Sequence, residues 1–274
     1  MRADIACIPQ TTSVSGTVHI LEPRRIRASL LHLLFSVVVA GGFAAAAYFL
    51  WYPAPLLSIQ GGLSVIAILL LVDAVLGPLM TLLVFNPAKS RRELTMDLSL
   101  IIVLQASAFA YGAHVVYMER PQYLAFAYSQ FYVIRDGDVR GDVPAALGNA
   151  QRYGSFGPRI VYADIPPRAD IDGSALMATL AGDPRFASDA RQYRLTPTAH
   201  ARFAAESILT EDIPRHLRDR IEQLAAQHQI DVSDLSLYHV RGRQGLALAV
   251  VRLSDAQLLA IFDTDLGWTA TGER

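Results

Sequence analysis

The residue with the clearest chemical consequence is Asp73, the only charged residue in an apolar run from about Leu63 to Phe85. An ionised aspartate near the centre of a bilayer costs roughly 2.5–3.5 kcal/mol on insertion scales, so it should face a partner or a water-filled site. Three roles are open: a proton relay, a polar contact with another helix, or a hydrogen bond to Gln105 or Ser107 within the chain. A protonated Asp73 would avoid most of the insertion cost. A single acid without an intramembrane base is a poor relay, which favours the docking and structural roles.

Gly77 and Pro78 follow Asp73 by one helical turn. Proline removes a backbone donor and leaves the carbonyl of Ala74 without its helical partner, and glycine lets a neighbouring helix approach closely. The segment is therefore predicted to be a kinked, polar and approachable part of a helix. It could receive the transmembrane helix of a partner, or pack the chain's own helices together.

Catalytic and metal-binding patterns are absent from the sequence. His114 has no ligating neighbour three or four residues away, and the histidines nearer the C-terminus are scattered. Ser155 and Ser174 lack the surroundings of a hydrolase nucleophile, and no phosphate-binding glycine loop occurs. We therefore expect no enzyme activity, no cofactor and no metal. The net charge of -1, without a basic stripe, also argues against nucleic-acid binding.

Three apolar blocks precede the rest of the chain, at about 28–51, 63–85 and 98–118. Each reaches the roughly 20 apolar residues that a helix needs to cross the hydrocarbon core. The first block exceeds the roughly 7–15 residues of a signal-peptide core and has no convincing cleavage site, which favours a retained helix. Trp51 and Tyr52 then lie where aromatic rings prefer the membrane–water interface.

Basic residues set the expected orientation. Arg24, Arg25 and Arg27 precede the first block, the loop 52–62 has no lysine or arginine, and the loop 86–96 carries three basic residues. Because basic loops stay in the cytoplasm, the N-terminus should lie inside and everything after the third helix outside. In a bacterium with two membranes, that outer side is the periplasm.

The predicted fold class is therefore a membrane α-helical unit of three transmembrane helices, followed by a small α+β extramembrane domain. Its parts are a cytoplasmic tail (1–27), a transmembrane domain (28–118) and a periplasmic domain (119–274). The last of these should contain a mixed or antiparallel sheet with helices, whose predicted strands are 123–128, 131–134, 159–164, 235–240, 246–253 and 258–263. Helices are predicted at 174–180 and 214–228.

The order of these features resembles the TfpX/TfpZ family of type IV pilin accessory proteins. The similarity runs from about Leu30 to Phe131 and thins beyond it. The matching stretches, which are specific in combination, include Trp51-Tyr52-Pro53-Ala54-Pro55-Leu56, Val72-Asp73-Ala74-Val75-Leu76-Gly77-Pro78-Leu79-Met80-Thr81-Leu82, Val84-Phe85-Asn86-Pro87, Gln105, Tyr111-Gly112 and Arg120-Pro121.

The resemblance implies a chaperone of the bacterial inner membrane that binds and stabilises type IV pilin subunits for pilus assembly. Its partners would be the lipid bilayer and the pilin. Our hypothesis is that Asp73, Gly77, Pro78 and Gln105 contact the pilin transmembrane helix, while residues 120–274 hold the pilin head. The alternative is a small membrane sensor or transport subunit whose periplasmic domain binds a ligand.

Overall fold

The computed structural model describes residues 22–86, 88–164, 187–195 and 213–264. Three of its helices are long and apolar enough to cross a membrane: α1 (Pro23–Trp51), α3 (Gly62–Val84) and α4 (Arg91–Met118). A single-turn helix α2 (Leu56–Ile59) lies between α1 and α3. The predicted set of three membrane helices is confirmed on length and composition. Large apolar side chains such as Leu100, 71% exposed on α4, suit a lipid environment.

Helix α3 changes its winding in the middle. It is α-helical over Gly62–Leu71, π-helical over Val72–Leu76 and α-helical again over Gly77–Val84. Pro78 cannot donate to the carbonyl four residues earlier, and a local π-turn accommodates such a proline. The irregularity expected here takes this form, and Asp73 lies within the π-turn. Turns of this kind inside α-helices often mark functional sites.

The basic loop after α3 is shorter than the sequence suggested, because α4 already begins at Arg91. Ser90 caps the helix: its side chain accepts a hydrogen bond from the Glu93 backbone, and the Glu93 carboxylate accepts one from the Ser90 backbone. The sequence Ser-Arg-Arg-Glu is a capping box, a pattern that marks a helix start. Arg91 and Arg92 therefore lie in the first turn of α4.

A seven-stranded mixed sheet follows the membrane helices. The strands are β1 (Pro121–Ala127), β2 (Gln130–Arg135), β3 (Arg159–Ala163), β4 (Tyr193–Arg194), β5 (Leu235–Arg241), β6 (Leu246–Arg252) and β7 (Gln257–Asp263). Their order in the sheet is β4-β3-β1-β2-β5-β6-β7. The pairs β1–β3 and β2–β5 are parallel and the remaining pairs are antiparallel. The predicted α+β class is confirmed.

One helix covers part of this sheet. Helix α5 (Arg215–His228) buries Leu217 and Ile221 against Leu237 of β5 and Val250 of β6. The prediction of a helix at 214–228 and of the six longer strands is confirmed within a few residues. The predicted helix at 174–180 lies outside the described residues. The two-residue strand β4 was not predicted, because so short a segment has no periodicity to detect.

The loop between α1 and α3, residues 52–61, joins the membrane helices to the sheet. Leu56 and Ile59 of α2 are 0% and 2% exposed and belong to the same apolar core as Phe126, Phe131 and Val240 of the sheet. Apolar side chains in a loop that follows a membrane helix thus complete the core of the domain that follows α4. The sheet and the 52–61 loop consequently lie at the same end of the helices.

Candidate functional site

A groove of about 710 Å³ opens between α1, α3 and α4. Its wall includes Leu31, Phe35 and Val39 of α1 and Leu98, Ile102, Ala106 and Phe109 of α4. Its polar groups are His32, Ser36, Asp73, Thr81 and Gln105. An apolar groove with a few converging polar groups is the usual form of a binding site. Because its lining residues lie on helices long enough to cross a membrane, we expect the groove to open to the lipid of the bilayer rather than to water.

Asp73 reaches this groove with its side chain largely buried and the residue 6% exposed. Neither of the proposed partners on α4 bonds to it in the part of the chain that the structure describes. Ser107 is exposed and donates instead to the carbonyl of Val103, at 2.8 Å. Gln105 lines the same groove without a hydrogen bond to Asp73. Asp73 instead interacts electrostatically with His32 of α1, which lines the same groove, so the expectation of an acid without an intramembrane base is wrong.

A polar seam joins α1 to α3 beside the groove. His32 Nδ1 lies 2.6 Å from Thr81 Oγ1, and the Ser29 hydroxyl donates to the carbonyl of Pro78 at 2.8 Å. Ser29, His32 and Ser36 recur at helical spacing on one face of α1, which places them against α3. This seam did not emerge from sequence reasoning, although that spacing was a visible signal for it.

Gly77 and Pro78 are buried in the helix packing rather than lining the groove. The amide of Gln105 lies against the Gly77 backbone, where a Cβ atom would overlap it. The Oε1 atom of Gln105 is buried and has no hydrogen-bond partner among the described residues. Of the four residues predicted to act together, Asp73 and Gln105 thus share the groove. Gly77 and Pro78 shape the bundle that forms it.

The other residues considered from the sequence give no site. His114 is exposed on α4, and no group of three or more histidine, cysteine or acidic residues suited to a metal occurs in the described ranges. Ser155 lies in the loop before β3, whereas Ser174 falls outside the described residues. The groove is accordingly the strongest candidate for binding.

Among the residues that the structure describes, four hydrogen bonds each join an atom of the 52–61 loop to an atom of the sheet domain. They are Tyr153 Oη to Ala54 O at 2.8 Å, Ser58 Oγ to Asp263 Oδ2 at 3.0 Å, Gln244 N to Ile59 O at 2.8 Å and Arg243 N to Gln60 Oε1 at 2.9 Å. Three of them use a backbone atom, either of the 52–61 loop or of the turn between β5 and β6 that contains Arg243 and Gln244. This hydrogen bonding adds to the apolar core in fixing the sheet to the helices.

Charges reinforce the same junction. Glu119, at the end of α4, forms ion pairs with Arg135 of β2 and with Arg243, the latter at 2.8 Å. Arg135 also donates hydrogen bonds to Asp138. This contact, and to a smaller extent the contact with Glu119, raises the pKa of the Arg135 guanidinium, although partial burial lowers it. Partly exposed ion pairs add little stability individually, but a carboxylate shared between two arginines fixes their positions.

Comparison with known proteins supplies a family. Residues 23–61 match the family model of the fimbrial assembly protein FimB. The fimbrial assembly protein of serogroups C1 and C2 from Dichelobacter nodosus is 35% identical over 113 residues, which cover 86% of that protein and 41% of this chain. The chain belongs to this family of fimbrial assembly proteins.

Two further family members from Dichelobacter nodosus extend the comparison. The serogroup I protein is 27% identical over 249 residues, covering 94% of that protein and 90% of this chain. The serogroup E1 protein is 35% identical over 136 residues, covering 53% of that protein and 49% of this chain. No solved structure matches. The segment matched by the family model is α1 together with the loop that enters the sheet core.

Proposed function

We propose that this fimbrial assembly protein is a non-enzymatic accessory factor of the inner membrane that binds type IV pilin subunits and stabilises them for assembly. The groove between α1, α3 and α4 binds the transmembrane helix of the pilin. The sheet domain lies in the periplasm and holds the pilin head. The observation that carries the proposal is the apolar groove with Asp73 and Gln105 on its wall.

The groove has the properties that a releasable helix site requires. Its apolar wall offers van der Waals packing, which drives helix association in lipid because lipid tails are as apolar as leucine. Interhelical hydrogen bonds in membranes average only about 0.6 kcal/mol and reach ~1.7 kcal/mol, so Asp73 and Gln105 would select a partner without holding it permanently. A factor that passes subunits to a growing fibre needs binding of this modest strength.

The arrangement of the chain supports the proposed orientation. Two helices, α3 and α4, separate the 52–61 loop from the sheet, so both emerge on one side if every helix crosses the membrane. Their shared core agrees with that topology. Arg24, Arg25 and Arg27 at the opposite end of α1 favour the cytoplasm for that end, which leaves the periplasm for the sheet. A reporter fused after Arg274 should therefore be periplasmic, and a cytosolic reporter would exclude the proposal.

Site-specific photo-crosslinking tests the groove directly. A photoreactive amino acid at Val39 or Ile102, which line the groove, should give adducts with pilin in cells. The matched control is Leu104, which is 70% exposed on the same helix as Ile102 and lies outside the groove. Pilin adducts from the control at equal yield, or groove adducts only with a second copy of this chain, would contradict the proposal.

The role of Asp73 is tested by two substitutions. Asp73→Asn keeps a hydrogen-bonding side chain of the same shape, whereas Asp73→Leu removes all polarity from that position. If a hydrogen bond suffices, Asp73→Asn retains pilin co-purification in mild detergent and Asp73→Leu loses most of it. If both variants are present at normal levels and co-purify as much pilin as the wild-type protein does, Asp73 is not part of the binding site.

A further inference from the structure

The loop that precedes β3 lies at the membrane end of the sheet. Strand β1 starts directly after α4, and β3 runs parallel to β1 with Arg159 beside Tyr123. Parallel strands in register begin at the same edge of a sheet. The residues immediately before Arg159, the 151–158 loop, must therefore lie close to the point where α4 leaves the hydrocarbon region.

Contacts with the end of α1 confirm this position. The Tyr153 hydroxyl donates to the carbonyl of Ala54 at 2.8 Å. Gly154 and Gly157 lie so close to Pro53 that Cβ atoms there would be 3.5 Å and 2.9 Å from its ring. Burial raises the pKa of Tyr153, and the neighbouring Tyr48, one turn inside α1, adds to the effect. The loop thus reaches the level of the last turn of a membrane helix.

Phe156 occupies the exposed part of this loop. Its side chain is 67% exposed although the loop around it is fixed by Tyr153 and by a hydrogen bond from Arg152 Nη1 to the Gly157 carbonyl at 3.0 Å. Arg152 is itself exposed. Arginine reaches to the membrane–water interface, and phenylalanine is among the apolar residues that interfacial segments bury at the headgroup boundary. Trp51 lies at the same level, at the end of α1.

We propose that the 151–158 loop is a membrane-interface anchor, in which Phe156 inserts among the phospholipid headgroups beside the end of α1. The bilayer is the partner because the loop contacts Pro53 and Ala54, which immediately follow a membrane helix. The anchor holds the sheet domain at a fixed height above the membrane. It operates without pilin and does not depend on the function proposed above.

A fluorescent label tests the anchor in the full-length protein. Cys7 is the only cysteine, so a Cys7→Ser background allows Phe156→Cys to be labelled with an environment-sensitive dye. The labelled protein is placed in nanodiscs of phosphatidylethanolamine and phosphatidylglycerol, without pilin. We expect blue-shifted emission and strong quenching by lipids that carry a spin label near the headgroup. Because Phe156 is exposed, the substitution should not disturb folding.

Val232→Cys in the same background is the matched control. Val232 is 40% exposed and precedes β5, whose other end leads to Gly242 beside Ile59. Seven residues of strand place the two ends about 20 Å apart, which is too far for contact with the headgroups. The Phe156 label should be quenched several-fold more than the Val232 label. Equal, water-like emission from both positions would overturn the proposal, as would a Phe156 signal that changes only when purified pilin is added.

Discussion

The side-chain amide of Gln105 on α4 lies directly against the backbone of Gly77 on α3. Gln105 lines the same groove as Asp73, and its amide can lie this close to α3 only because residue 77 has no Cβ atom. Glycine in membrane helices commonly permits such close approaches. The geometry of the groove therefore depends on a pair of residues rather than on either alone.

Gly77→Ala should lower the free energy of unfolding by about 1 kcal/mol, because overpacking would displace the Gln105 amide. In a Gln105→Ala background the same change should instead be neutral or stabilising by up to ~1 kcal/mol, since alanine favours helix over glycine. Thermal unfolding of the four proteins in detergent measures the coupling between the two sites. Strictly additive effects would show that the amide does not rest on Gly77.

Tyr52→Phe tests the connection between the end of α1 and the end of α4. The buried Tyr52 hydroxyl donates to the Val116 carbonyl at 2.8 Å, and burial raises the pKa of this phenol. The last carbonyls of a helix lack helical partners, so removing the donor should cost about 1–3 kcal/mol in unfolding free energy. Tyr111→Phe is the control, because Tyr111 is 72% exposed on α4. Equal stability of the two variants would contradict the assigned contact.

The helices and most strands could be predicted from sequence because their signals are local. Uninterrupted apolar runs define α1, α3 and α4, and turn residues follow β2 at Asp136-Gly137-Asp138 and separate β5 from β6. Asp73 was identifiable for the same reason, since a charge within such a run requires a partner. Its placement in a groove with Gln105 needed only the prediction that both helices pack together.

The role of the 52–61 loop could not be predicted, because its partners are distant in sequence. Leu56 and Ile59 contact strands more than sixty residues away, and no local pattern reveals a pairing of that kind. The parallel pairing of β2 with β5 could not be predicted for the same reason, because Phe131 and its partner Val240 are separated by a long connection. The apolar character of a short loop without basic residues was the available clue.

Leu56→Ala tests whether the 52–61 loop completes the sheet core. A fully buried leucine truncated to alanine typically costs 2–5 kcal/mol, and the loss here should loosen the sheet from the helices. Leu63→Ala is the control, because Leu63 is 55% exposed on α3 and is not part of the sheet core. Limited proteolysis in detergent should cut the Leu56→Ala protein several-fold faster. The same rate for both variants would mean that the loop is not part of the core.

Stability should fall on acidification because of His239 in β5. Burial, and then the positive charge of Arg241, lowers the pKa of His239 below its ordinary value of 6.5, and its strand neighbours Gln130 and Leu248 are uncharged. Below pH 6.5 the unfolded chain therefore binds more protons than the folded chain, so the free energy of unfolding decreases as the pH falls.

His239→Gln should flatten that dependence between pH 7 and pH 5, as measured by thermal unfolding in detergent. His216→Gln removes a histidine that is exposed on α5 and should leave the wild-type slope unchanged. A steeper slope in the His239→Gln protein, or the same loss of slope in both variants, would show that His239 does not carry the effect. As the pH falls, the free energy of unfolding begins to decrease near pH 6.5. It levels off below the pKa of His239 in the folded chain, because His239 is then protonated in both the folded and the unfolded chain.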